Sequence, residues 1–246
     1  MHVIRSLILI VPLLLGVAFI TLAERKLLGV LQRRRGPNIV GLWGVFQPFA
    51  DGLKFILTRT TIPSFAYGGV FLFVSVFSLA VAFLPWAVIP FPSVYCDLNL
   101  GILFVLAASS ISVYSVMVSG WVSNSKYSID AAVRAAAQMI SYEVAIGLII
   151  LCACIPANSF NLSYIIAGQE GIWYVIPLFP MFVLLCVSAL AETHRVPFDL
   201  TEGESELVSG YHVEYGGALF TLFFLAEYLH LLFMAVFISL LFFGGG

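Results

Sequence analysis

Charged side chains are scarce in this sequence. Asp, Glu, Lys and Arg together make up 10% of its 246 residues, whereas a typical soluble domain carries roughly 25%. Hydrophobic residues account for 61%, which is more apolar surface than a water-soluble fold of this length can bury. The composition therefore excludes a soluble globular domain and predicts a single all-α polytopic membrane domain.

Signals for metal, disulfide and nucleotide sites are also lacking. None of the four cysteines forms a CxxC pair or lies at metal-ligand spacing from a histidine, so we expect neither an iron–sulfur cluster nor a zinc site. The cysteines are interpreted as small packing residues. No glycine-rich loop follows a strand, which argues against a bound dinucleotide. We therefore expect this chain alone to bind no cofactor, no metal and no nucleic acid.

Long apolar runs dominate what is present. Six of them are long enough to cross a bilayer, and because backbone in lipid must hydrogen-bond to itself, each is predicted to be a helix. The first run ends in Glu24-Arg25-Lys26 and is too long for a signal peptide, so we expect a retained span. No internal repeat is evident, which weakens an inverted-repeat transporter interpretation. The predicted spans cover about residues 3–23, 66–90, 100–121, 132–156, 172–191 and 216–243.

A different kind of segment separates the first two runs. Apolar residues recur there at helical spacing while polar residues mark another side, which predicts an amphipathic helix at the membrane interface over about residues 44–58. The apolar set is Phe46, Phe49, Leu53 and Ile56, and the polar set is Gln47, Asp51 and Lys54.

The distribution of positive charge predicts the topology. Alternating six spans place residues 24–65, 122–131 and 192–215 on one side of the membrane. These loops and the adjoining helix ends contain ten of the 11 Lys and Arg residues, with only Arg5 on the other side. The positive-inside rule places them in the cytoplasm or mitochondrial matrix, with both termini outside.

The most informative segment is the acidic loop at residues 192–215. Carboxylates this close repel one another, and low dielectric at a membrane boundary raises the cost of ionising them all. The cluster should share protons and respond to nearby charge, which favours a proton-coupled function over a passive anchor. Pro197 and Gly203 disfavour a continuous helix, so we expect a loop able to shift. Its first fifteen positions contain five of the chain's 13 acidic residues, Glu192, Asp199, Glu202, Glu204 and Glu206.

Two further acids, Glu143 and Glu227, lie within predicted spans. An unpaired charge in hydrocarbon costs several kcal/mol, so each is a functional candidate; the alternative is a protonated carboxyl bonded for structure. Small residues near the start of the fourth span would let another helix approach closely. A polar stripe follows the same span at four-residue steps, through Asp130, Arg134, Gln138 and Tyr142.

Other features keep two interpretations. Glu24 and Arg25 form either a plain interfacial charge pair or part of a site, and Asp51 with Lys54 is either functional or simply the wet face of its helix. His230 falls one turn after Glu227, where it either shares a proton or fills space. Aromatic residues in the last span either face lipid or line a site for an isoprenoid or aromatic ligand; they are Phe220, Phe223, Phe224 and Tyr228.

Several motifs occur in order along almost the whole chain. They are residues 23–26 (AERK), 32–38 (QRRRGPN), 47–51 (QPFAD), 120–127 (GWVSNSKY), 140–143 (ISYE), 191–210 (AETHRVPFDLTEGESELVSG) and 213–215 (VEY). Together they resemble the subunit 1 family of the membrane arm of respiratory NADH:ubiquinone oxidoreductase, complex I, in its mitochondrial form. The long acidic motif is the most specific of them.

The resemblance implies a component of an H+-translocating NADH:ubiquinone reductase that has no catalytic residue or redox centre of its own. Such a subunit encloses part of the tunnel through which ubiquinone reaches peripheral partner subunits, which carry the terminal iron–sulfur cluster and flavin. It also contacts other membrane-arm subunits and lipid of the mitochondrial inner membrane, with its basic and acidic loops on the matrix side. The implied tunnel-lining residues are Glu24, Arg25, Arg34, Asp51, Phe224 and Tyr228. The implied proton-relay and coupling residues are Glu143, Glu192, Asp199, Glu202, Glu204, Glu206, Glu214 and Glu227.

One departure stands beside this resemblance. Members of the family usually continue through about two more membrane helices, whereas this sequence ends at Gly246. Three alternatives stay open: the helices are on a separate polypeptide, are lost, or are replaced by a neighbour's. A membrane subunit of a related hydrogenase and an autonomous proton-coupled transporter are the rival functions. Purification would separate them, because a transporter works alone and a complex I subunit is isolated in a large assembly with iron–sulfur proteins.

Overall fold

The computed structural model describes residues 2–90, 97–199 and 210–245, with side chains from residue 7 onward. Every regular element in these ranges is helical. The helices are α1 (His2–Leu31), α2 (Gln47–Leu57), α3 (Gly68–Phe83), α4 (Gly101–Ser123), α5 (Lys126–Ala157), α6 (Leu162–Ala167), α7 (Phe179–Glu192) and α8 (Ala218–Phe243). Short 3₁₀ turns occupy Leu42–Gly44, Leu84–Val88 and Gly210–His212.

Five of the described helical segments are long and apolar enough to cross a membrane. The all-α polytopic prediction is therefore confirmed, and these segments overlap five of the predicted spans. The segments are Leu7–Leu31, Gly68–Val88, Gly101–Ser123, Lys126–Ala157 and Ala218–Phe243.

The predicted span over 172–191 is wrong in its first third. Helix begins only at Phe179, and its 14 residues reach about 21 Å at 1.5 Å per residue, less than the roughly 30 Å of a bilayer core. The reason is proline: Pro177 disfavours helical backbone in the residue before it, and Pro180 is tolerated because it lies in the first turn.

Two helices are longer than their hydrophobic runs. Helix α1 continues to Leu31, so Glu24 and Arg25 lie on the helix rather than beyond it. Helix α5 starts at Lys126 and therefore includes the whole polar stripe. In both cases helix propensity extends regular structure past the apolar segment, because polar side chains at a helix end can remain at the membrane boundary.

A helix is confirmed in the predicted segment as α2, which starts at Gln47 with Pro48 in its first turn and carries no fully buried residue. Its position at the membrane interface stays a prediction. It lies against α1, where the ring of Phe49 meets the ring of Phe19 edge-on with centroids 6.3 Å apart. Its exposed apolar residues leave one face of α2 open to lipid or to another protein.

The spanning helices pack closely where small residues meet. A side-chain carbon added to Gly120 of α4 would lie 2.3 Å from the Cβ of Ala132 on α5, a distance no real pair of carbons adopts. Ala132 and Ala136 are almost completely buried. The predicted close approach of a helix to the small residues of α5 is therefore confirmed, and α4 is that helix.

Three loops meet at one end of the bundle. The Asn124 side chain donates to the carbonyl of Phe65, the Ser128 hydroxyl donates to the carbonyl of Tyr211, and Arg195 reaches Glu24. These contacts join residues on the three loops that were predicted to share one side of the membrane. They agree with the predicted alternation of the spans, and the compartment at that end stays a prediction.

Candidate functional site

Arg195 is the centre of a four-residue cluster at this end of the bundle. Its Nη1 donates to Glu24 Oε1 of α1 at 2.9 Å, and its Nη2 lies 3.4 Å from Glu227 Oε1 of α8. Its guanidinium carbon lies 4.5 Å from the ring centroid of Tyr228, whose hydroxyl donates to Glu24 Oε2 at 2.6 Å. One cation therefore holds two carboxylates and an aromatic ring from two different helices, and about a quarter of its side chain is exposed.

The local fold explains why Arg195 points inward. Helix α7 ends at Glu192, and His194 adopts left-handed backbone with φ near 51°, which turns the chain back over the bundle. Gln138 of α5 fastens this turn, because its side-chain amide donates to the carbonyls of Ala191 at 2.7 Å and Phe198 at 2.9 Å. The predicted polar stripe on α5 therefore anchors the loop that carries Arg195.

A groove of about 380 Å³ lies beside the cluster between α1 and α8. Its walls are mainly apolar, and its polar groups are Glu24 and Arg195. Phe224 lies one turn before Tyr228 on α8, and their rings pack at 4.6 Å between centroids. The other wall residues are Ile20, Ala23, Leu27, Leu28 and Leu231.

Arg25 and Asp51 form a second, more exposed contact between α1 and α2. Arg25 Nη1 lies 2.6 Å from Asp51 Oδ2, and the Gln47 side chain donates to Asp51 Oδ1 at 2.9 Å. About half of the Arg25 side chain is open to solvent. Asp51 is thus a connection between two helices as well as part of a wet helix face.

A second cavity lies deeper, between α3, α4, α7 and α8. Its volume of about 80 Å³ gives room for several waters. Along α4, the residues that line the cavity fall between Ala108 and Val116. Ile102 and Val105, which belong to one buried apolar cluster, precede them, and Val122, which belongs to another, follows them. Apolar packing therefore flanks the cavity at both ends. Its titratable lining residues are Glu192, His194, Glu227 and His230, and its serines are Ser78, Ser109, Ser112 and Ser115.

Glu192 is the most buried acid among the described residues, at 4% exposed. Its Oε1 lies 3.4 Å from Nε2 of His230, and its Oε2 is buried without a hydrogen-bond partner in the described part of the chain. Both ring nitrogens of His194 are likewise buried without such a partner. Burial, and then the neighbouring His230, lower the pKa of His194 to about 4, against the opposing effect of Asp199 and Glu192.

Glu143 on α5 contacts two serines of α4, Ser109 and Ser110. The Ser109 hydroxyl is 3.2 Å from Glu143 Oε1, and the Ser110 hydroxyl donates to the same oxygen. Because Ser109 also lines the cavity, one side chain touches both Glu143 and the space that Glu192 and Glu227 face.

The structure therefore brings together some of the predicted residues and not others. Glu24, Glu227 and Tyr228 share one cluster, with Phe224 packed beside it, and Glu192 faces the same cavity as Glu227. Arg34 is exposed and donates to Gln32 at 2.8 Å, away from that cluster, and Glu214 is half-buried outside the set that lines the cavity. The predictions for Glu202, Glu204 and Glu206 fall outside the described residues.

Arg195 and His194 are functional candidates that the sequence alone did not single out. Arg195 was counted only as a marker of topology, although it is the one Lys or Arg within residues 192–215. A lone cation among clustered acids is a usable signal, because some of those acids need a partner if they are to stay ionised away from water.

A helical bundle with five described segments long and apolar enough to cross a membrane defines a polytopic membrane protein. Comparison with known proteins narrows this class. The family model described as NADH dehydrogenase matches residues 4–246, and the chain belongs to that family.

Curated relatives agree with the family match. NADH-ubiquinone oxidoreductase chain 1 of Metridium senile is 52% identical over 246 residues, which cover 99% of this chain and 74% of the relative. The protein of the same description from Chondrus crispus is 49% identical over 244 residues, covering 98% and 75%. An NADH-quinone oxidoreductase subunit of the bacterium Rhodospirillum centenum is 51% identical over 243 residues, covering 98% and 72%.

Proposed function

We propose that this chain is the core membrane subunit of a proton-pumping NADH:ubiquinone oxidoreductase, in which it forms part of the quinone tunnel and couples quinone reduction to proton movement. Family membership makes the chain a subunit of complex I, as its relatives' descriptions indicate. The roles in the tunnel and in coupling are our proposal. One observation carries it: Arg195 contacts Glu24, which lines the groove, and Glu227, which lines the cavity.

The groove supports the tunnel role by its chemistry. An isoprenoid quinone combines a long apolar tail with two carbonyl oxygens. The groove offers apolar walls for such a tail, while Arg195 and the Tyr228 hydroxyl are donors within the same cluster. Glu24, Arg25, Asp51 and Phe224 frame this region from α1, α2 and α8.

The cavity supports the coupling role. Reducing a quinone to a quinol consumes two protons and passes through charged intermediates, so charge appears near Arg195 during turnover. A charge there competes for the guanidinium with Glu24 and Glu227, and a carboxylate that loses its cation binds a proton more readily. Glu227 would then exchange protons with Glu192 across the cavity, which has room for several waters, and with Glu143 by way of Ser109.

The acidic loop and Glu214 complete the proposal. Asp199 faces His194 at the start of the loop, and Glu202, Glu204 and Glu206 follow it in sequence. We assign these acids, together with Glu214, to the same proton-sharing network.

The setting of the chain follows from the same proposal. Peripheral partner subunits would supply flavin and iron–sulfur clusters, and other membrane-arm subunits would cover exposed apolar helix faces. A multi-pass position in the mitochondrial inner membrane is expected, with the end that carries Arg195 on the matrix side, because ten of 11 Lys and Arg residues lie at that end.

The test is Glu227→Gln in the intact complex, with Asp130→Asn as the matched control. Asp130 also forms an ion pair with an arginine, Arg134, but on the exposed start of α5. We expect E227Q to lose most proton translocation with ubiquinone while electron transfer from NADH to a soluble artificial acceptor continues, and D130N to retain both. Normal proton translocation in E227Q would contradict the proposal.

A further inference from the structure

His230 lies at the wall of the cavity and takes no part in the proposed exchange between Glu227, Glu192 and Glu143. We propose that His230 and Glu192 bind a proton jointly, as an imidazole–carboxylate pair, and that this pair is one of the stations through which the cavity exchanges protons during turnover. The inference rests on the proposed coupling function and adds a histidine to a path otherwise built of carboxylates.

Geometry joins the two side chains. His230 Nε2 and Glu192 Oε1 lie 3.4 Å apart, with 16% and 4% of the respective side chains exposed. They come from different helices, α8 and α7, and both line the cavity. This separation is longer than a direct hydrogen bond, and Nε2 is buried without such a partner among the described residues. A proton would therefore pass from Nε2 to Oε1 through one bridging water, with an N–H bond broken, an O–H bond formed on the carboxylate and the net charge of the pair unchanged.

The charged surroundings favour a proton on the pair. Glu192 faces His230 from α7, Glu227 faces it from one turn earlier on α8, and His194 faces it from the loop after α7. His194 is kept neutral near pH 7 by burial, since its pKa is about 4. Arg195 is engaged with Glu227 and Glu24, and the basic side chain paired with Glu192 is His230.

Water in the cavity would carry protons to and from the His230–Glu192 pair. Glu192 Oε2 and both ring nitrogens of His194 are buried atoms without a hydrogen-bond partner in the described residues. Buried polar atoms of this kind normally bind water, and the cavity has room for several molecules. Water there would connect the pair to His194, and beyond it to Asp199, which lies close to His194.

A purely structural histidine is the competing explanation, and it predicts different spectra. In the intact complex with ¹⁵N-labelled histidine, infrared difference spectra between oxidised and quinone-reduced states should contain isotope-sensitive imidazole bands. These bands should vanish in His230→Asn and persist in His212→Asn. His212 is a buried histidine that packs against Phe220 and Tyr211 and does not itself line the cavity. Bands that are absent from the unsubstituted complex, or unchanged in H230N, would overturn the proposal.

Turnover gives the second readout. Loss of a positioned proton carrier typically costs a hundredfold or more, and because Glu192 and Glu227 remain, we expect ubiquinone-dependent turnover of H230N to fall by about tenfold, with one ionisation lost from its pH profile. Electron transfer to an artificial acceptor should be unaffected. H230Q, which keeps more of the side-chain volume, should behave as H230N does; recovery of the normal pH profile in H230Q would mean that the histidine only fills space.

Glu192→Gln separates this inference from the proposed function. If E192Q and E227Q stop proton translocation while H230N and H230Q keep normal spectra and pH profiles, the pair is wrong and the coupling role stands. If E192Q and E227Q also pump normally, the coupling role itself is wrong.

Discussion

Two arginine–carboxylate contacts join α1 to its neighbours, and they differ in almost everything except residue type. Arg25 meets Asp51 at the exposed edge of the interfacial helix, with one guanidinium and one carboxylate. Arg195 lies half-buried at one end of the bundle, contacts Glu24 and Glu227, and packs over Tyr228. The first contact positions one helix on another, whereas the second ties three parts of the chain together beside two internal spaces.

Burial decides what each contact is worth. An exposed pair gains little because water and salt screen it, so about 0.2–1 kcal/mol is typical. Removing one member of a buried group leaves charges without a partner, which costs about 3–5 kcal/mol. Since roughly a quarter of Arg195 is exposed, the lower end of that range applies. The functional arginine is therefore distinguished by its number of partners and its burial, and not by a short nitrogen–oxygen distance, which is shorter in the exposed pair.

Replacing Arg195 by Gln should have the largest effect. Glu24 and Glu227 would lose their common cation, at a cost of about 3 kcal/mol, and the complex should assemble poorly or lose ubiquinone reduction. Assembly is measured on native gels and activity with NADH and a soluble quinone. Wild-type assembly and activity in R195Q would show that the buried cluster matters no more than the exposed pair.

Tyr228→Phe is expected to have the next effect. The change removes a hydroxyl that donates to Glu24 at 2.6 Å and keeps the ring that lies under Arg195. A hydrogen bond to a charged group is worth about 1.5–3 kcal/mol, so the KM for quinone should rise about tenfold or more. Tyr67→Phe, at an exposed tyrosine stacked on Trp121, is the control and should leave the KM unchanged.

Ser110→Ala is expected to be smaller again. It removes one hydroxyl from Glu143 while Ser109 keeps its own contact, so the loss should be about 1 kcal/mol. Proton translocation per electron should fall modestly, and S109A combined with S110A should have a larger effect than the sum of the single changes. A double variant that pumps normally would remove Glu143 from the path.

Arg25→Gln should have the smallest effect on stability, about 0.2–1 kcal/mol. Its cost should shrink further at high salt, where exposed pairs are screened. The measurement is the heat inactivation of the complex at low and high ionic strength. A loss in R25Q as large as in R195Q, and insensitive to salt, would break the distinction between the two contacts.

The sequence predicts where helices lie better than it predicts which residues of other helices and loops they contact. Hydrophobic length is sufficient for five spans, and helical spacing is sufficient for α2. It fails at residues 172–178, because an apolar run with Pro177 inside it has the composition of a span without the backbone of one. It also ends α1 too early, because the polar turn from Glu24 onward continues the helix.

The sequence did not indicate the role of Arg195, because its partners lie far away along the chain. Glu24 and Arg195 are 171 positions apart, and a periodic pattern shows which face of a helix is polar without showing what lies opposite. The intramembrane acid Glu227 was predictable because a charge in lipid always requires an explanation. Its partner Arg195 was not, because an arginine at a membrane boundary usually needs none.

The most direct measurement is a density map of the intact complex with and without a quinone-site inhibitor. If Arg195 links the groove to the cavity, the inhibitor headgroup should lie beside Glu24 and Tyr228, and the guanidinium should change its distance to Glu227 when the inhibitor binds. An inhibitor bound elsewhere, or an Arg195 with identical contacts in both maps, would contradict the account.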